Sequence, residues 1–527
     1  MSSSKYGLKF EKRPEEAVKL CEENHIYLVE DKKRSWCKDP NRHHNMLIEG
    51  ENYQALKLLT FTHKGKIGLI YIDPPYNTGN KDFVYNDKFV DKDDSWRHSS
   101  WLSFMSSRLK LAKELLSDDG VICISIDDNE FAQLKMLCDQ IFGEENKLAC
   151  ITVINNLKGR SDSDNFAPCH EYLLVYAKNN KKGLINGRKL TKEESEEYSE
   201  QDEISPYKLI QLKKTGQGDK REDRPNLYYP IYYEVSTKKI SLEPINKAEI
   251  ILPLRSNGTD GRWTCEKSNV LEKINTEIVV KFSSGKYNVY QKMRDLVDGQ
   301  PRTRKIKTVW NDPSHSTTTS ANEIKKDFGE KGAFDFAKPI NFIKDVVRMA
   351  SKKDTIVLDF FAGSGTTGLA VAELNKEDDG TRQFILCTNN ENGICHEITY
   401  PRQQKNIIYT ENLRYFNIKT IPFKNKAKAD LLVQLQSDHK IDLAFQIRHN
   451  CFTIKEENEK YTVFTNNKNE CLIVYFDQMK YGKAPHEVIQ LEKKFASEKY
   501  SKLSLYKNHF MNGYSRTYFD FFHPKFK

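Results

Sequence analysis

The chain has 527 residues, which is long enough for two to four domains. Charged residues make up 30% and hydrophobic residues 38%, and no run approaches the ~18 uncharged apolar residues of a membrane span. The N-terminal stretch MSSSKYGLKFEKRPEEAVKL lacks the apolar segment of a secretory signal. Eleven cysteines without a CxxC pair argue against a disulfide framework or a zinc site, so we expect a cytoplasmic protein with no membrane partner.

The basic charge is concentrated in the middle of the chain. The net charge is +9, and residues 205–310 hold 21 Lys and Arg against 12 Asp and Glu, so this window carries the whole excess. Aromatic residues are interleaved there, as in RPNLYYPIYYEV. Two interpretations stay open: a solvated lysine-rich surface, or a face that binds a phosphate backbone.

An α/β pattern begins near Asn45, after a polar N-terminal arm. The segments NYQALKLL, WLSFMSSRLKLAKELL and DDNEFAQLKMLCDQIFG have helical periodicity, whereas IGLIYI and GVICISI are short apolar runs typical of buried strands. Strands that alternate with helices predict a parallel sheet covered on both faces.

The α/β pattern stops near residue 158 and resumes near residue 336. Polar loops, tyrosine-rich short strands and the acidic stretch TKEESEEYSEQDE indicate a separately folded insertion. After it, AKPINFIKDVVRMA and TTGLAVAEL predict helices, and TIVLDFF, RQFILCT and the later ECLIVYFD predict strands. The predicted divisions are an N-terminal arm, a first α/β half, the insertion, a second α/β half and a C-terminal domain of unassigned role: residues 1–44, 45–158, 159–335, 336–415 and 416–527.

A first motif with chemical meaning follows the predicted strand IGLIYI. The apolar run stops at the tetrapeptide Asp73-Pro74-Pro75-Tyr76. Each proline fixes its own φ, and Pro75 forces Pro74 to be extended, so the turn is rigid and presents carbonyl oxygens beside an acid. For Pro75 alone, a turn that merely ends a strand stays an alternative.

A second motif, TIVLDFFAGSGTTGLAV at residues 355–371, predicts a strand, a glycine-rich turn and a helix start. Gly363 and Gly365 permit a tight turn and close approach of a ligand, as in nucleotide sites at the carboxyl end of a parallel sheet. The spacing fits neither a phosphate loop nor the dinucleotide fingerprint, because no Lys-Ser/Thr follows and Asp359 precedes the turn directly. An acid at that place suits a cofactor with an amino-acid moiety, whose ammonium group it can hold.

The two motifs and the segments between them resemble those of the β-class DNA adenine N6-methyltransferases. DPPY with DFFAGSGTTG is similar to the signature pair of amino-methyltransferases, and IYIDPPYNTGN, HEYLLVYAKN, RPNLYYPI and AKPINFI follow in the order of that class over about residues 45–415. Within the class, the chain is most similar to modification subunits of type III restriction systems and their type II relatives. The resemblance implies a Rossmann-like S-adenosylmethionine-dependent methyltransferase fold with circularly permuted motif order, an inserted target recognition domain and a C-terminal extension.

The implied activity is transfer of a methyl group from S-adenosylmethionine to the N6 amino group of a flipped adenine in double-stranded DNA. Asp73 and the Pro74 carbonyl would each accept one amino hydrogen, so that the nitrogen lone pair can point at the methyl group. Tyr76 would stack on the extruded base, with Pro75 keeping the turn rigid. DPPY favours adenine, and N4-cytosine methylation stays an alternative.

The resemblance also implies which residues bind the cofactor. The family places an acid for the ribose after the next strand, but Thr388 occupies that place here, so we nominate Glu391 three residues later. Asn77 extends the catalytic loop and would contact cofactor or base. The predicted cofactor-binding residues are Asp359, Phe361, Gly363, Gly365, Lys338, Pro339, Glu391 and Asn77.

The insertion is expected to recognise DNA, and no metal site is expected. Expected partners are double-stranded DNA, a restriction subunit and a second copy of the chain in a homodimer. The recognition sequence does not follow from the sequence, because base contacts depend on loop geometry. The predicted phosphate contacts are Lys213, Lys214, Lys220, Arg221 and Arg224.

Two other classes of protein stay open. Glu492-Lys493-Lys494 with Asp477 upstream could form a nuclease motif, which would make the chain a bifunctional restriction-modification enzyme. A GxxxxGK[ST] motif is absent from the sequence, so any translocation would need a partner subunit. The other class is a non-catalytic DNA-binding protein, against which the intact DPPY and glycine motifs argue.

Overall fold

The structure is a computed structural model, and it forms two compact units, Met1–Asn186 with Lys307–Lys527, and Gly187–Ile306. Asp477, Glu492 and Lys493 of the alternative nuclease motif lie outside the described residues. The structure describes residues 7–39, 42–79, 84–85, 88–91, 93–159, 165–329, 334, 337–408, 410–422, 453–457, 461–465, 470–475, 490, 494 and 502–507.

A ten-stranded sheet forms the centre of the first unit. The spatial order of its strands is β1-β10-β2-β9-β8-β3-β4-β6-β5-β7. The six strands from β10 to β4 are parallel, whereas β6 runs antiparallel to β4 and β5, and β1 runs antiparallel to β10. In chain order, the strands are β1 (Asn24–Glu30), β2 (His44–Glu49), β3 (Ile67–Ile72), β4 (Leu116–Ile126), β5 (Lys147–Ile154), β6 (His170–Ala177), β7 (Val309–Trp310), β8 (Ile356–Asp359), β9 (Gln383–Thr388) and β10 (Asn412–Pro422).

Helices of the first unit connect these strands and bury apolar faces. Trp101 and Leu109 of α3 are fully buried in the same core as Ile70 and Ile124 of the sheet. Every helix and strand that the sequence predicted by name is confirmed. The expected parallel sheet is mixed instead, because β1 and β6 run antiparallel to their neighbours. The helices are α1 (Glu16–Glu23), α2 (Asn52–His63), α3 (Arg97–Leu115), α4 (Phe131–Phe142), α5 (Thr317–Phe328), α6 (Ile340–Ala350), α7 (Thr366–Asp378) and α8 (Tyr400–Ile407).

The two compact units do not begin and end at the predicted domain boundaries. Strand β1 lies in the large sheet although the sequence placed it in the N-terminal arm, and β6 lies there although the sequence placed it in the insertion. The reason for β6 is its content, HEYLLVYA, whose second half is entirely buried between neighbouring strands. Strand β10 likewise crosses the predicted boundary at 415. The functional division into domains stays a prediction.

The second unit consists of small antiparallel sheets with their own core. Trp263 is 1% exposed in that core, and its indole N–H donates to the Tyr229 carbonyl at 2.8 Å. Two short helices, Lys192–Glu196 and Lys267–Lys273, accompany the sheets. The strands are Arg188–Lys189, Glu200–Gln201, Pro206–Gln211, Ile231–Glu234, Lys239–Ser241, Glu249–Ile251, Ile278–Ser283, Lys286–Arg294, Leu296–Val297, Gln300–Pro301 and Thr303–Arg304.

Two further strand groups belong to the first unit. Val84–Tyr85 pairs with Lys88–Phe89. Near the C-terminus, a four-stranded sheet contains the predicted strand ECLIVYFD, and its strands are Thr453–Glu457, Tyr461–Thr465, Glu470–Tyr475 and Lys502–Lys507. Over the part of the chain that the structure describes, no helix is long and apolar enough to cross a membrane.

Candidate active site

The two sequence motifs meet at one edge of the large sheet. Strands β3 and β8 are parallel neighbours, with Leu69 opposite Val357 and Ile70 opposite Leu358. Asp73 directly follows β3, and Asp359 is the last residue of β8. Parallel strands end at the same edge, where ligands of open α/β sheets bind. Residues far apart in sequence therefore form one candidate site.

The Asp73 carboxylate belongs to a cluster with Lys338, Tyr76 and Glu171. The Lys338 ammonium donates to Asp73 Oδ1 at 3.0 Å, to Glu171 Oε2 at 3.2 Å and to the Tyr76 hydroxyl at 2.7 Å. The Tyr76 hydroxyl also lies 2.9 Å from Asp73 Oδ1 and 3.2 Å from Glu171 Oε2. An ammonium has three protons and a phenol has one, so Lys338 satisfies all three acceptors while Tyr76 donates to one carboxylate at a time.

Glu171 is a site residue that the sequence prediction missed. It is the second residue of β6, which runs antiparallel to β4 and therefore begins at the edge where the parallel strands end. Its carboxylate is 5% exposed and also accepts the Asn155 side-chain amide at 3.2 Å. The available signal was an acid at the start of the apolar run in HEYLLVYAKN.

Burial and mutual charge set the protonation of the Asp73 cluster. Burial raises the pKa of Asp73, and the Lys338 ammonium opposes that rise. Burial lowers the pKa of Lys338, but Asp73 and Glu171 outweigh it, so the net pKa is raised and the ammonium stays charged. Burial and the neighbouring carboxylates raise the pKa of Tyr76, which keeps its phenol protonated and able to donate.

Side chains of α3 and Glu130, the residue directly before α4, contact the catalytic turn and the residue that follows it. The Trp101 indole N–H donates to the Pro75 carbonyl at 2.8 Å. Asn77 has a φ of 58° and is fully buried, and its side-chain amide donates to Glu130 Oε1 at 2.5 Å. His98 Nδ1 lies 2.6 Å from the same oxygen. The Asn77 side chain thus lies against Glu130, and its contact with cofactor or base stays a prediction.

Asp359 is a buried carboxylate held by neutral donors. It is 3% exposed, its Oδ1 accepts the Phe361 backbone N–H at 3.0 Å, and its Oδ2 accepts the Thr367 hydroxyl at 2.6 Å. Within the described residues, no Lys, Arg or His side chain pairs with it. Burial therefore raises the pKa of Asp359 to about 7.

The glycine turn after Asp359 is fixed by side chains from α8. Gly363 and Gly365 have φ of 48° and 74°, the left-handed region that glycine enters at no steric cost. Gln403 donates to the Gly365 carbonyl at 2.8 Å and would overlap a Cβ at position 365. Arg402 is fully buried and donates to the Thr366 hydroxyl at 2.8 Å. Neither α8 residue was predicted from the sequence.

The remaining predicted cofactor residues take different places. Phe361 is half-buried, with its ring centroid 5.8 Å from that of Phe104. Pro339 caps α6, and Lys338 directly precedes it in the Asp73 cluster. Glu391 is exposed, and its carboxylate accepts the Asn389 amide at 3.3 Å.

A second acid lies near the end of β9, at the carboxyl end of the neighbouring strand. Glu49 is the last residue of β2 and pairs in register with Thr388 of β9. The Tyr415 hydroxyl donates to it at 2.8 Å, and His396 Nε2 lies 3.0 Å from its other oxygen. Sequence reasoning had not considered Glu49, because no motif marks it.

The donor set fits S-adenosylmethionine. Its methionine part carries an ammonium group, and Asp359 is a buried carboxylate that lacks a cationic partner among the described residues. Among the described residues, a Cβ at Gly363 would meet Phe334 at 3.5 Å and the Phe361 carbonyl at 3.9 Å, which are ordinary contact distances, so the backbone is approachable there. Among the described residues, no group of three or more His, Cys, Asp or Glu side chains is placed to hold a metal ion.

The five predicted DNA-binding residues lie in the second unit and differ in their partners. Lys220 and Arg224 are exposed, and Lys214 is half-buried. The Lys213 ammonium donates to the Leu254 carbonyl at 3.0 Å, and burial lowers the pKa of Lys213. The Arg221 guanidinium is 51% exposed and pairs with Asp260 at 2.8 Å.

Comparisons with known proteins agree with this site. A family model described as DNA methylase matches residues 67–400. The chain is 36% identical over 468 residues to the Mod subunit of the type III restriction-modification enzyme EcoPI of Escherichia phage P1, covering 84% of this chain and 70% of that protein. It is 38% identical over 375 residues to the type II methyltransferase M.KpnI of Klebsiella pneumoniae, covering 71% and 85% respectively. The chain therefore belongs to the DNA methylase family, enzymes that transfer a methyl group from S-adenosylmethionine to DNA, which confirms the predicted fold and enzyme class.

Proposed function

We propose that this DNA methylase modifies the N6 amino group of adenine in double-stranded DNA as the modification component of a restriction-modification system. The observation that carries the proposal is the half-buried Asp73 carboxylate of the DPPY turn, which follows the strand next to the one that ends at Asp359 and its glycine turn. Similarity to a type III Mod subunit and to a type II methyltransferase supports the restriction-modification role.

The catalytic turn would act on the amino group by accepting its hydrogens. An exocyclic amine is a poor nucleophile because its lone pair is conjugated into the ring. Asp73 and the Pro74 carbonyl would each take one N–H, which lets the nitrogen rehybridise and stabilises its developing positive charge. The Trp101 bond to the Pro75 carbonyl supports this role because it fixes the turn. After transfer the amino group loses one proton, for which the Asp73 carboxylate is a suitable acceptor.

The base would be extruded from the duplex to reach Asp73. The Tyr76 ring is fixed by its hydroxyl, which bonds to the cluster, so its face is a suitable stacking surface. Asp359, Phe361, Gly363 and Gly365 would hold the cofactor, with Lys338, Pro339, Glu391 and Asn77 as further predicted contacts. When bound, S-adenosylmethionine supplies a sulfonium methyl group whose bonding electron pair stays on sulfur.

The second unit would bind the DNA backbone. Lys220 and Arg224 are exposed, and Lys214 is half-buried, so these three are the strongest of the five predicted contacts. Lys213 and Arg221 would have to release a carbonyl and a carboxylate first. We also propose that the enzyme acts on cellular DNA in the cytoplasm, as a homodimer and with a restriction subunit as partner. Light scattering would test the homodimer, and co-purification would test the restriction subunit.

The activity is tested by labelled-methyl transfer to unmethylated plasmid DNA, followed by nucleoside chromatography. The wild-type chain is expected to produce N6-methyladenine, and Asp73→Ala to produce none. Asp118→Ala, which changes a largely exposed acid, is the matched control and is expected to retain activity. N4-methylcytosine as the product would overturn the adenine assignment, and no incorporation by the wild type would overturn the function.

The DNA surface is tested by reversing exposed charges. Lys220→Glu with Arg224→Glu is expected to weaken plasmid binding and to reduce its salt dependence, because phosphate contacts release counterions. Lys238→Glu with Lys239→Glu makes the same charge change at two other exposed lysines of the second unit and serves as the control. Equal losses in both variants would show a general charge effect and refute the assigned contacts.

A further inference from the structure

Glu171 duplicates the contacts of Asp73. Both carboxylates accept from the Lys338 ammonium, at 3.2 and 3.0 Å, and both lie within hydrogen-bond distance of the Tyr76 hydroxyl. The side chain of Glu171 is 7% exposed and that of Lys338 is 14% exposed, so solvent contributes little to either. The cluster of two carboxylates and one ammonium carries a net charge of minus one.

The position of Lys338 bears directly on the reaction. The target nitrogen becomes positive as it gains the methyl group, so an ammonium bonded to Asp73 would oppose that charge. Asp73 Oδ1 already accepts from both Lys338 and Tyr76, which weakens it as an acceptor for an amine. A second carboxylate that holds the same two donors removes this conflict.

We infer that Glu171 is a positioning residue that holds Lys338 and Tyr76 when the target amino group bonds to Asp73. Asn155, which donates to Glu171 Oε2 at 3.2 Å, fixes the carboxylate from its other side. Glu171 touches neither base nor cofactor in this role and acts through Lys338. The inference rests on the proposed function, because it assumes that Asp73 accepts the amino hydrogens.

The charge balance predicts how variants combine. Glu171→Gln leaves Asp73 as the one carboxylate of the cluster that pairs with Lys338, and we expect kcat to fall at least tenfold while cofactor affinity is unchanged. Lys338→Met leaves two buried carboxylates without a cation, so one takes up a proton at neutral pH and kcat falls there too. The double variant restores a single carboxylate with a net charge of minus one. We expect its kcat to exceed that of the worse single variant at least tenfold.

A stability measurement gives a readout that does not require activity. In Lys338→Met the folded state binds protons more tightly than the unfolded state, so stability is present at low pH and lost as pH rises. Its melting temperature should therefore fall between pH 6 and 9 more than that of the wild type, and the double variant should not show this excess. Tyr71, Tyr76 and Asp359 also interact electrostatically with Asp73 and are unchanged in every variant.

The experiment compares four proteins, wild type, Glu171→Gln, Lys338→Met and the double variant, by labelled-methyl transfer to plasmid DNA and by thermal melting against pH. Lys344→Met, which removes a buried lysine paired with Glu373 at 3.0 Å on α6, is the control for general destabilisation and is expected to keep its kcat. A double variant no better than the worse single one, with an active wild type, overturns the inference. An inactive wild type would overturn the proposed function, and the melting temperatures would still decide whether the two carboxylates share Lys338.

Discussion

Two aspartates lie at the ends of neighbouring strands of one sheet, Asp73 half-buried and Asp359 buried, and their charged neighbours differ. Asp73 pairs with the Lys338 ammonium, which it shares with Glu171, so part of its charge is compensated within the protein. Asp359 receives only a hydroxyl and a backbone N–H, which leaves its charge uncompensated. A buried charge without a partner costs free energy that a cationic ligand can recover. The difference indicates that Asp359 binds a charged group, whereas Asp73 acts on a neutral one.

Removing the Asp73 carboxylate, which acts on the neutral amino group, should lower the methyl-transfer rate more than any other change. Asp73→Asn keeps the shape of the side chain but replaces one acceptor oxygen with a donor. We expect kcat for methyl transfer to fall about 10³-fold, the scale of a lost preorganised electrostatic contact. Cofactor affinity, measured by calorimetry, should change less than about twofold, because Asp73 already pairs with the Lys338 ammonium of the protein. A large loss of cofactor affinity would contradict the division of roles.

The corresponding change at the other aspartate, Asp359→Asn, should weaken cofactor binding and leave the rate of methyl transfer nearly unchanged. Loss of a hydrogen bond to a charged group costs about 1.5–3 kcal/mol, which corresponds to roughly 10- to 100-fold weaker S-adenosylmethionine binding. At saturating cofactor, kcat should recover to within about threefold of the wild type. Calorimetry and initial-rate kinetics on the same preparation separate the two effects. If saturating cofactor does not restore kcat, Asp359 also contributes to methyl transfer, and the separate roles of the two aspartates are refuted.

The raised pKa of Asp359 predicts that cofactor affinity depends on pH. Below pH 7 its carboxyl is increasingly protonated, so cofactor affinity should fall about tenfold per pH unit and level off above pH 7. Because the folded-state pKa exceeds the unfolded one, this group contributes stability at low pH that is lost as pH rises through about 7. Calorimetric titrations from pH 5.5 to 8.5 measure the first effect. Asp359→Asn should abolish it, and persistence of the slope in that variant would refute the assignment.

Removing the hydrogen bond that holds the catalytic turn should change kcat and stability only slightly. Trp101→Phe removes the N–H that donates to the Pro75 carbonyl but keeps an aromatic ring in the core. We expect a stability loss of about 0.5–1.5 kcal/mol and a kcat about fivefold lower, with cofactor affinity unchanged. Phe142→Leu, which changes another buried aromatic residue at the C-terminal end of α4, controls for packing by urea denaturation. Equal kcat losses in both variants would show that the loss reflects packing and would refute the specific role of the Trp101 hydrogen bond to Pro75.

Local patterns predicted most of the fold because the signals were themselves local. The apolar run before Asp73 predicts the end of a strand, and the glycines after Asp359 predict a tight turn. Each signal lies within a dozen residues of the feature it predicts. Their meeting at one sheet edge follows from the parallel pairing of β3 with β8. The membership of β1 and β6 in the large sheet was not predicted, because it depends on pairing with segments elsewhere in the chain.

The contacts that tune the site could not be predicted, since they join distant segments. Lys338 meets Glu171 across 167 positions, and no spacing rule relates them. The antiparallel course of β6, which brings Glu171 to the site, depends on the whole sheet. The buried position of Asn77 similarly depends on Glu130, which directly precedes α4.

The pairing of β3 with β8 has a consequence for biosynthesis. The ribosome must add residues 73–355 before the strand that covers one edge of β3 emerges. Until then the apolar edge of a future sheet centre is open, and such edges pair readily with other chains. Contacts so distant in sequence also form slowly. Translation therefore exposes the nascent chain to aggregation for most of its synthesis, so the yield of folded enzyme depends on chaperones and on elongation rate.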